Sequence, residues 1–431
     1  MSYKQFGDVV SFDTTYKTNK YHLPFAPFTG VNHHFQTIQF GCALLQDETE
    51  ASFIWLFETW KDAMGGVEPV SMITDSDPAM KAAIPKVFPN TRHRLCYWHI
   101  KKNFGVNLSH LYYKKSNFKR DVKECLKFTF RIEDFERKWE ALLVKYNLTT
   151  NNWLKGLYED RAAWVHVYNR TAFFAGMNST GRSEGINSFF KDYIRSTTNL
   201  KEFVEKYEKA LKKIEEREIE ADFMSEQKYP LLTSDSYLLN HAKTIYTKKI
   251  FEKFKKNWNL VEKYKSDVCH DEPEVHVVKF KKGVDEHWLV RLNQQTLEGT
   301  CECHFSEFVG IPCAHLLKVF SKLDMVEIPD YFIKQRWLKR ANRFKLSNRV
   351  EGVSQPHANA MKLSQMCHEA TQLAYIAYLS DERSNLFFDG IRELCEKISK
   401  IDLKQVENVI PAKPPSDEPP AVLLDPHVTQ S

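Results

Sequence analysis

The chain has 431 residues, 42% of them hydrophobic and 27% charged, with 61 Lys and Arg against 56 Asp and Glu. This composition is that of a soluble globular protein, and the length suits two or three domains. No apolar run approaches the roughly 18 to 20 residues of a membrane helix. Met1-Ser-Tyr-Lys-Gln-Phe is followed at once by strand-like sequence, which leaves no room for a secretory signal, so an intracellular protein without a membrane partner is predicted. A net charge of +5 permits nucleic-acid contact without demanding it. Of the nine cysteines, six (Cys42, Cys96, Cys125, Cys269, Cys367, Cys395) are scattered and three cluster beside a histidine, which fits a reducing compartment and one metal site.

In chain order, Asp8 to Asp13 reads as a short strand ending in an acid. Tyr21 to Phe28 and Phe35 to Leu45 read as two more, with Gly30 and Asn32 between them as a turn signal. Ser52 to Trp60 predicts a helix, because Phe53, Leu56, Phe57 and Trp60 share one face. Val70 to Asp75 is another strand ending in an acid, Pro78 suits the first turn of the next helix, and Arg92 to Cys96 is a further short strand. Strands and helices in this order predict an α/β layered domain.

From about Lys101 to Arg170 the sequence turns to charged, aromatic-studded helices. Phe135, Trp139, Leu142 and Leu143 recur at helical spacing, as do Phe203, Tyr207, Leu211 and Ile214; both stripes read as packing faces. Asn199 with Glu202 forms a capping box before the second stripe. His241 to Trp258 reads as one basic helix carrying Lys243, Lys248, Lys249, Lys253, Lys255 and Lys256, a solvated face or a DNA contact. Val275 to Phe280 and His287 to Leu292 are strand-like, and the Pro-rich end from about Pro411 reads as disordered.

Two constellations carry chemistry. Cys301-Glu-Cys303 and Cys313-Ala-His315, separated by nine residues, supply four sulfur and nitrogen ligands for a tetrahedral structural Zn²⁺. The first pair suits a bend and the second a helix start; His304 is an alternative ligand. Separately, Asp13 and Asp75 end predicted strands, where a sheet presents side chains to a crevice. Close carboxylates can hold divalent cations such as Mg²⁺ for phosphodiester chemistry. A third acid is needed, and Glu184 is the candidate, although spacing alone does not single it out; Asp77 could replace Asp75.

CECHFSEFVGIPCAHLLKVF resembles the SWIM zinc finger, a module associated with DNA or protein binding. VVSFDTTYKTNKYHLPFAPFTGVNHH, SMITDSDPAMKAAIPKVFPNTRHRLCYWHIKKN and FFAGMNSTGRSEGINSFFK resemble the Mutator-like-element transposase domain. More closely, they resemble the plant FAR-RED IMPAIRED RESPONSE family, domesticated from such transposases, up to about residue 345. The resemblance implies a ribonuclease-H-like core with a helical insertion and an acidic triad of Asp13, Asp75 and Glu184. Cys96 and His99 match a transposase motif whose role is local structure or DNA handling.

The implied organisation is a core begun by 1–110, a helical insertion at 111–175 and the remainder of the core with the third acid at 176–230. A basic helical linker at 231–285, the zinc finger at 286–322, a helical region at 323–400 and a disordered tail at 401–431 follow. The family commonly carries an N-terminal zinc-binding DNA-recognition domain ahead of its core, whereas core-like sequence here begins near residue 8. The function implied is a nuclear regulator of transcription that binds zinc, DNA and other regulators, with homo- or heterodimers among family members. An active transposase using two Mg²⁺ ions and a module working through partners alone are the alternatives.

Overall fold

The computed structural model describes residues 2–14, 19–114, 116–127, 129–190, 197–227, 236–282, 286–339 and 341–342, and, farther on, 369–370, 373–374, 376–378 and 380–399. Two compact units divide the chain at 342/343.

The first unit opens with a short helix, α1 (Ser2–Phe6), and the apolar run that becomes β1 (Val9–Phe12). Every residue of β1 is buried, the pattern of a central strand covered on both faces. β2 (Phe25–Val31) and β3 (Thr37–Leu44) form an antiparallel hairpin beside it. Gly30, expected in the turn, lies inside β2. The turn begins at Asn32, whose carboxamide oxygen accepts from the backbone N–H of His34 at 3.0 Å and of Gln36 at 2.9 Å.

α2 (Glu50–Ala63) is capped by the Thr49 hydroxyl and buries the predicted stripe; Trp60 stacks on Phe28 with ring centroids 4.4 Å apart. β4 (Ser71–Thr74), α3 (Pro78–Val87) and β5 (Arg92–Leu95) complete a sheet of order β3-β2-β1-β4-β5, with β1, β4 and β5 parallel. The period-2 alternation of strands separates two cores. Val10, Phe12 and Met72 pack with α2 and α3, while Val9, Val31 and Ile73 face the opposite layer.

Six helices follow: α4 (Tyr97–Asn107), α5 (Ser109–Tyr112), α6 (Ser116–Lys127), α7 (Ile132–Lys145), α8 (Asn152–Glu159) and α9 (Arg161–Trp164). They share their own core, in which Phe104, Phe118, Phe135, Trp139 and Trp164 are buried. The chain returns to the sheet through α10 (Gly181–Phe190) and α11 (Leu200–Gln227). The predicted cap of α11 forms, with Asn199 Oδ1 accepting from Glu202 N–H at 2.9 Å.

The predicted single basic helix is two, α12 (Tyr237–Ile245) and α13 (Lys248–Trp258). The break falls where Tyr246 is fully buried and bridges to Leu338, and where Thr247 stays extended and donates its hydroxyl to His33 O at 2.6 Å. Tertiary anchoring overrides a sequence that reads as continuous helix. The 231–285 segment is also not purely helical. It contributes β6 (Tyr264–Val268), absent from the sequence reading, and β7 (Val275–Phe280). With β8 (His287–Leu292) and β9 (Gly299–Cys301) they make an antiparallel sheet in sequence order. α14 (Phe305–Val309) and α15 (Ala314–Lys322) pack in the same core as Val9, Val31 and Ile73.

The segment after α15 folds back onto both halves. Arg336, almost fully buried, pairs with Asp8, and Trp337 Nε1–H donates to Val309 O at 2.9 Å. In the second unit the helix Asp381–Ser399 is described; the predicted disordered tail lies outside the described residues. No helix among the described residues is long and apolar enough to cross a membrane.

Candidate metal centres

The four zinc-motif residues converge because the chain reverses twice within fifteen positions. Cys301 ends β9, paired with Val290 of β8. The next turn closes through His304 N–H to Cys301 O at 2.7 Å, with His304 itself left-handed at φ 48°. Gly310, at φ +85°, ends α14; a Cβ there would meet Trp337 Nε1 at 2.7 Å, so the turn requires glycine. Cys313 then caps α15, its sulfur accepting from Leu316 N–H at 3.3 Å, and His315 occupies the first turn.

All four side chains are buried, and their ligand atoms lie within 4.8 Å of one another. His315 Nδ1 is 3.5 Å from Cys301 Sγ and 3.9 Å from Cys313 Sγ. The imidazole is held by stacking on Trp288 at 4.2 Å and edge-on against Tyr264 at 4.9 Å. Burial pushes the Cys301 and Cys313 thiols well above their ordinary range, while hydrogen bonds from Cys301 and Cys313 hold the Cys303 thiol well below it. Such a set shares protons that a dication displaces on binding. Three sulfurs and one nitrogen fit tetrahedral zinc, with no ligand position left for substrate. His304 stands outside the cluster, its Nδ1 3.3 Å from Glu307.

The acids assemble differently. Asp13 and Asp75 follow β1 and β4, adjacent parallel strands paired at Ser11 and Ile73, so both sit at the same edge of the sheet. α10 is pinned across this edge by the buried Ser183 hydroxyl, 3.0 Å from both Ser11 Oγ and Thr29 Oγ1. Asp13, Glu184 and His99 thereby place a ligand atom each within 4.8 Å of one another. His99 Nε2 is 3.8 Å from Glu184 Oε1, and that oxygen is buried without a hydrogen-bond partner among the described residues.

Burial, reinforced by the charge of Asp75, pushes Asp13 up to about 7; burial also raises Asp75. Asp75 lies outside the group of three and accepts from Asp77 N–H at 3.3 Å. Asp77 is the N-cap of α3, accepting from Met80 N–H at 2.9 Å. Cys96 Sγ accepts from Thr180 N–H at 3.2 Å, holding the turn before α10, and interacts with the His99 imidazole, which joins the acids. Two carboxylates and an imidazole suit a divalent cation.

A third cluster escaped the sequence reading. His33 Nε2 and His34 Nε2 lie 2.7 and 2.8 Å from Asp222 Oδ1, and Asn342 Nδ2 donates to Asp222 Oδ2 at 2.8 Å. The adjacent histidines are visible in sequence, but their partner on α11 is 188 positions away from His34. All three groups are buried, and the bonds tie α11 to the β2–β3 turn.

Two family models match this chain, the MULE transposase domain at residues 9–103 and the SWIM zinc finger at residues 278–324. Protein FAR1-RELATED SEQUENCE 5 of Arabidopsis thaliana is 44% identical over 344 residues, 79% of this chain and 44% of its own length. The chain is a homologue of the FAR1-related proteins. Protein FAR-RED IMPAIRED RESPONSE 1 of the same plant is 34% identical over 415 residues, 95% of this chain and 49% of its own length. Protein FAR1-RELATED SEQUENCE 9 is 32% identical over 345 residues, 79% and 63% respectively. The chain thus spans about half the length of the curated relatives it matches. The SWIM match covers all four zinc-motif residues, and the MULE match covers Asp13, Asp75, Cys96 and His99 but stops before Glu184.

Proposed function

We propose that this FAR1-related homologue is a transposase-derived regulator of transcription in the plant nucleus, with a ribonuclease-H-like core that serves as a scaffold for DNA and partner regulators. The observation that carries the reading is identity of 44% over 344 residues, 79% of this chain, to a FAR1-related protein. The order β3-β2-β1-β4-β5, with an antiparallel hairpin beside parallel strands and acids at one edge, supports the ribonuclease-H-like assignment. Zinc would be held by Cys301, Cys303, Cys313 and His315, fixing the finger against the core.

A second reading, an active transposase, is favoured by the convergence of Asp13 and Glu184 with Asp75 nearby. Mg²⁺ bound there would supply a water nucleophile and stabilise the leaving oxygen. Asp13 and Glu184 would hold the ion, and Asp75 would bias it electrostatically.

The deciding experiment fuses the chain to a fluorescent tag and measures chromatin occupancy and transcript change in plant cells, alongside Mg²⁺-dependent strand transfer by the purified protein. Nuclear occupancy with altered transcripts and no strand transfer supports the regulator. Strand transfer that disappears in Asp75→Asn overturns it in favour of the enzyme.

A further inference from the structure

Arg94 of β5 is fully buried, and its Nε and Nη1 find no hydrogen-bond partner among the described residues. A guanidinium taken out of water without a carboxylate is strongly disfavoured. The rings of Phe174 and Phe308 each have their centroid 5.7 Å from its guanidinium carbon. Contact with an aromatic face offsets only part of that cost, and buried polar groups left unmated call for a ligand or another physical reason.

Arg94 lines a cavity of about 620 Å³ between β5, the helical insertion, α13 and the finger helix α14. The volume falls in the range of small-molecule sites rather than that of a lone inorganic anion. Arg170, Lys253 and Lys256 share the lining with Arg94, and no described lining residue is a carboxylate. Arg170 is partly committed: its Nη1 donates to Cys303 O at 2.7 Å and its guanidinium lies over Phe130 at 4.4 Å. Lys253 lies over Phe35 at 3.8 Å. Arg94 and the exposed Lys256 are therefore the cations best placed to meet an incoming anion. The rest of the wall includes the rings of Tyr97, Phe130 and Phe308 and the amides of Asn178 and Asn257, together with His166 and aliphatic side chains.

We propose that this cavity binds a nucleoside 5′-phosphate, its phosphate taken by Arg94 and Lys256 and its planar base accommodated by the aromatic wall. Guanidinium and phosphate form charge-assisted hydrogen bonds, and rings accept any base by stacking. The ligand is either a free nucleotide or the 5′-phosphorylated end of a DNA strand. The site is distinct from the acids: Cys96 and Thr180 hold the neighbouring turn on the acid side, while Arg94, Tyr97 and Asn178 line the cavity.

The test uses the full zinc-loaded chain in titration calorimetry with adenosine 5′-monophosphate, adenosine, and a 5′-phosphorylated hexadeoxynucleotide with its unphosphorylated twin. Saturable one-to-one binding of the phosphorylated probes is expected, weakened at least about ten-fold without the phosphate and at least about ten-fold in Arg94→Met and in Lys256→Glu. Lys256 is exposed, so its reversal leaves the core intact and decides the matter if Arg94→Met fails to fold. Binding of the mononucleotide identifies a free nucleotide as ligand; binding of the oligonucleotide alone identifies a strand end. Failure of both phosphorylated probes to saturate the folded protein, or unchanged affinity in Lys256→Glu, overturns the proposal.

Discussion

The finger and the acidic core are both ligand-gathering sites, but they are built at opposite sequence ranges. Cys301 to His315 supply a complete four-ligand set within fifteen positions, all of it buried. The acids come from β1, β4 and α10, with His99 of α4 added, and Glu184 and His99 remain half-buried. A local set needs only a turn and a helix cap. A dispersed set needs the whole sheet to close first, so its geometry inherits the stability of the fold.

That contrast can be broken most forcefully at the finger. Cys313→Ser should abolish stoichiometric zinc and melt the module, since structural zinc contributes on the order of 10 kcal/mol or more to such sites. Because α15 packs in the same core as Val9, Val31 and Ile73, the loss should spread into the sheet. Unchanged zinc content and melting temperature in the variant would refute the assignment.

Asp222→Ala is the next largest change. It strands two buried imidazoles at a cost of about 1–3 kcal/mol, read as a lower urea midpoint. The same cluster should make the protein acid-sensitive. Burial lowers the pKa of His34, so its neutral form favours the fold; that contribution is lost as pH falls below the unfolded value of about 6.5. Asp222 is held far below the carboxylate range by His33 and His34 against the opposing effect of burial, and its contribution survives to lower pH. A melting temperature that stays flat as pH falls through the unfolded histidine value of about 6.5 would contradict this.

At the acidic site, Mn²⁺ at about 100 times its dissociation constant should stabilise the chain by about 2.7 kcal/mol. Asp13→Asn and Glu184→Gln should each remove that gain, while equal stabilisation of wild type and both variants would place the ion elsewhere. The smallest expected effect sharpens the ligand question: Asp77→Ala should cost about 1 kcal/mol as a lost helix cap and leave the Mn²⁺ gain intact. Loss of that gain would restore Asp77 as a ligand.

Legibility followed the range of the interaction. α2, α3 and the cap of α11 could be read because a stripe, a proline and an Asn–Glu pair act within a few residues. The break between α12 and α13 could not be, because Tyr246 and Thr247 are fixed by Leu338 and His33, which are distant in sequence. Gly30 misled for a related reason: a strand tolerates it where the Phe40 ring crosses, and Asn32 makes the turn instead.

By itself the sequence singled out Cys301, Cys303, Cys313 and His315, which converge in the structure, and the apolar faces of the helices, because these depend on spacing along a few turns of chain. It also carried the acids as strand-end residues without stating which of them meet. Only the tertiary structure decided that Glu184 and His99 close on Asp13, that Asp77 serves as a cap, that His33 and His34 share Asp222, and that Arg94 is buried with two of its nitrogens lacking a hydrogen-bond partner among the described residues. Each of these depends on where separate elements pack, which period and propensity along the chain do not encode.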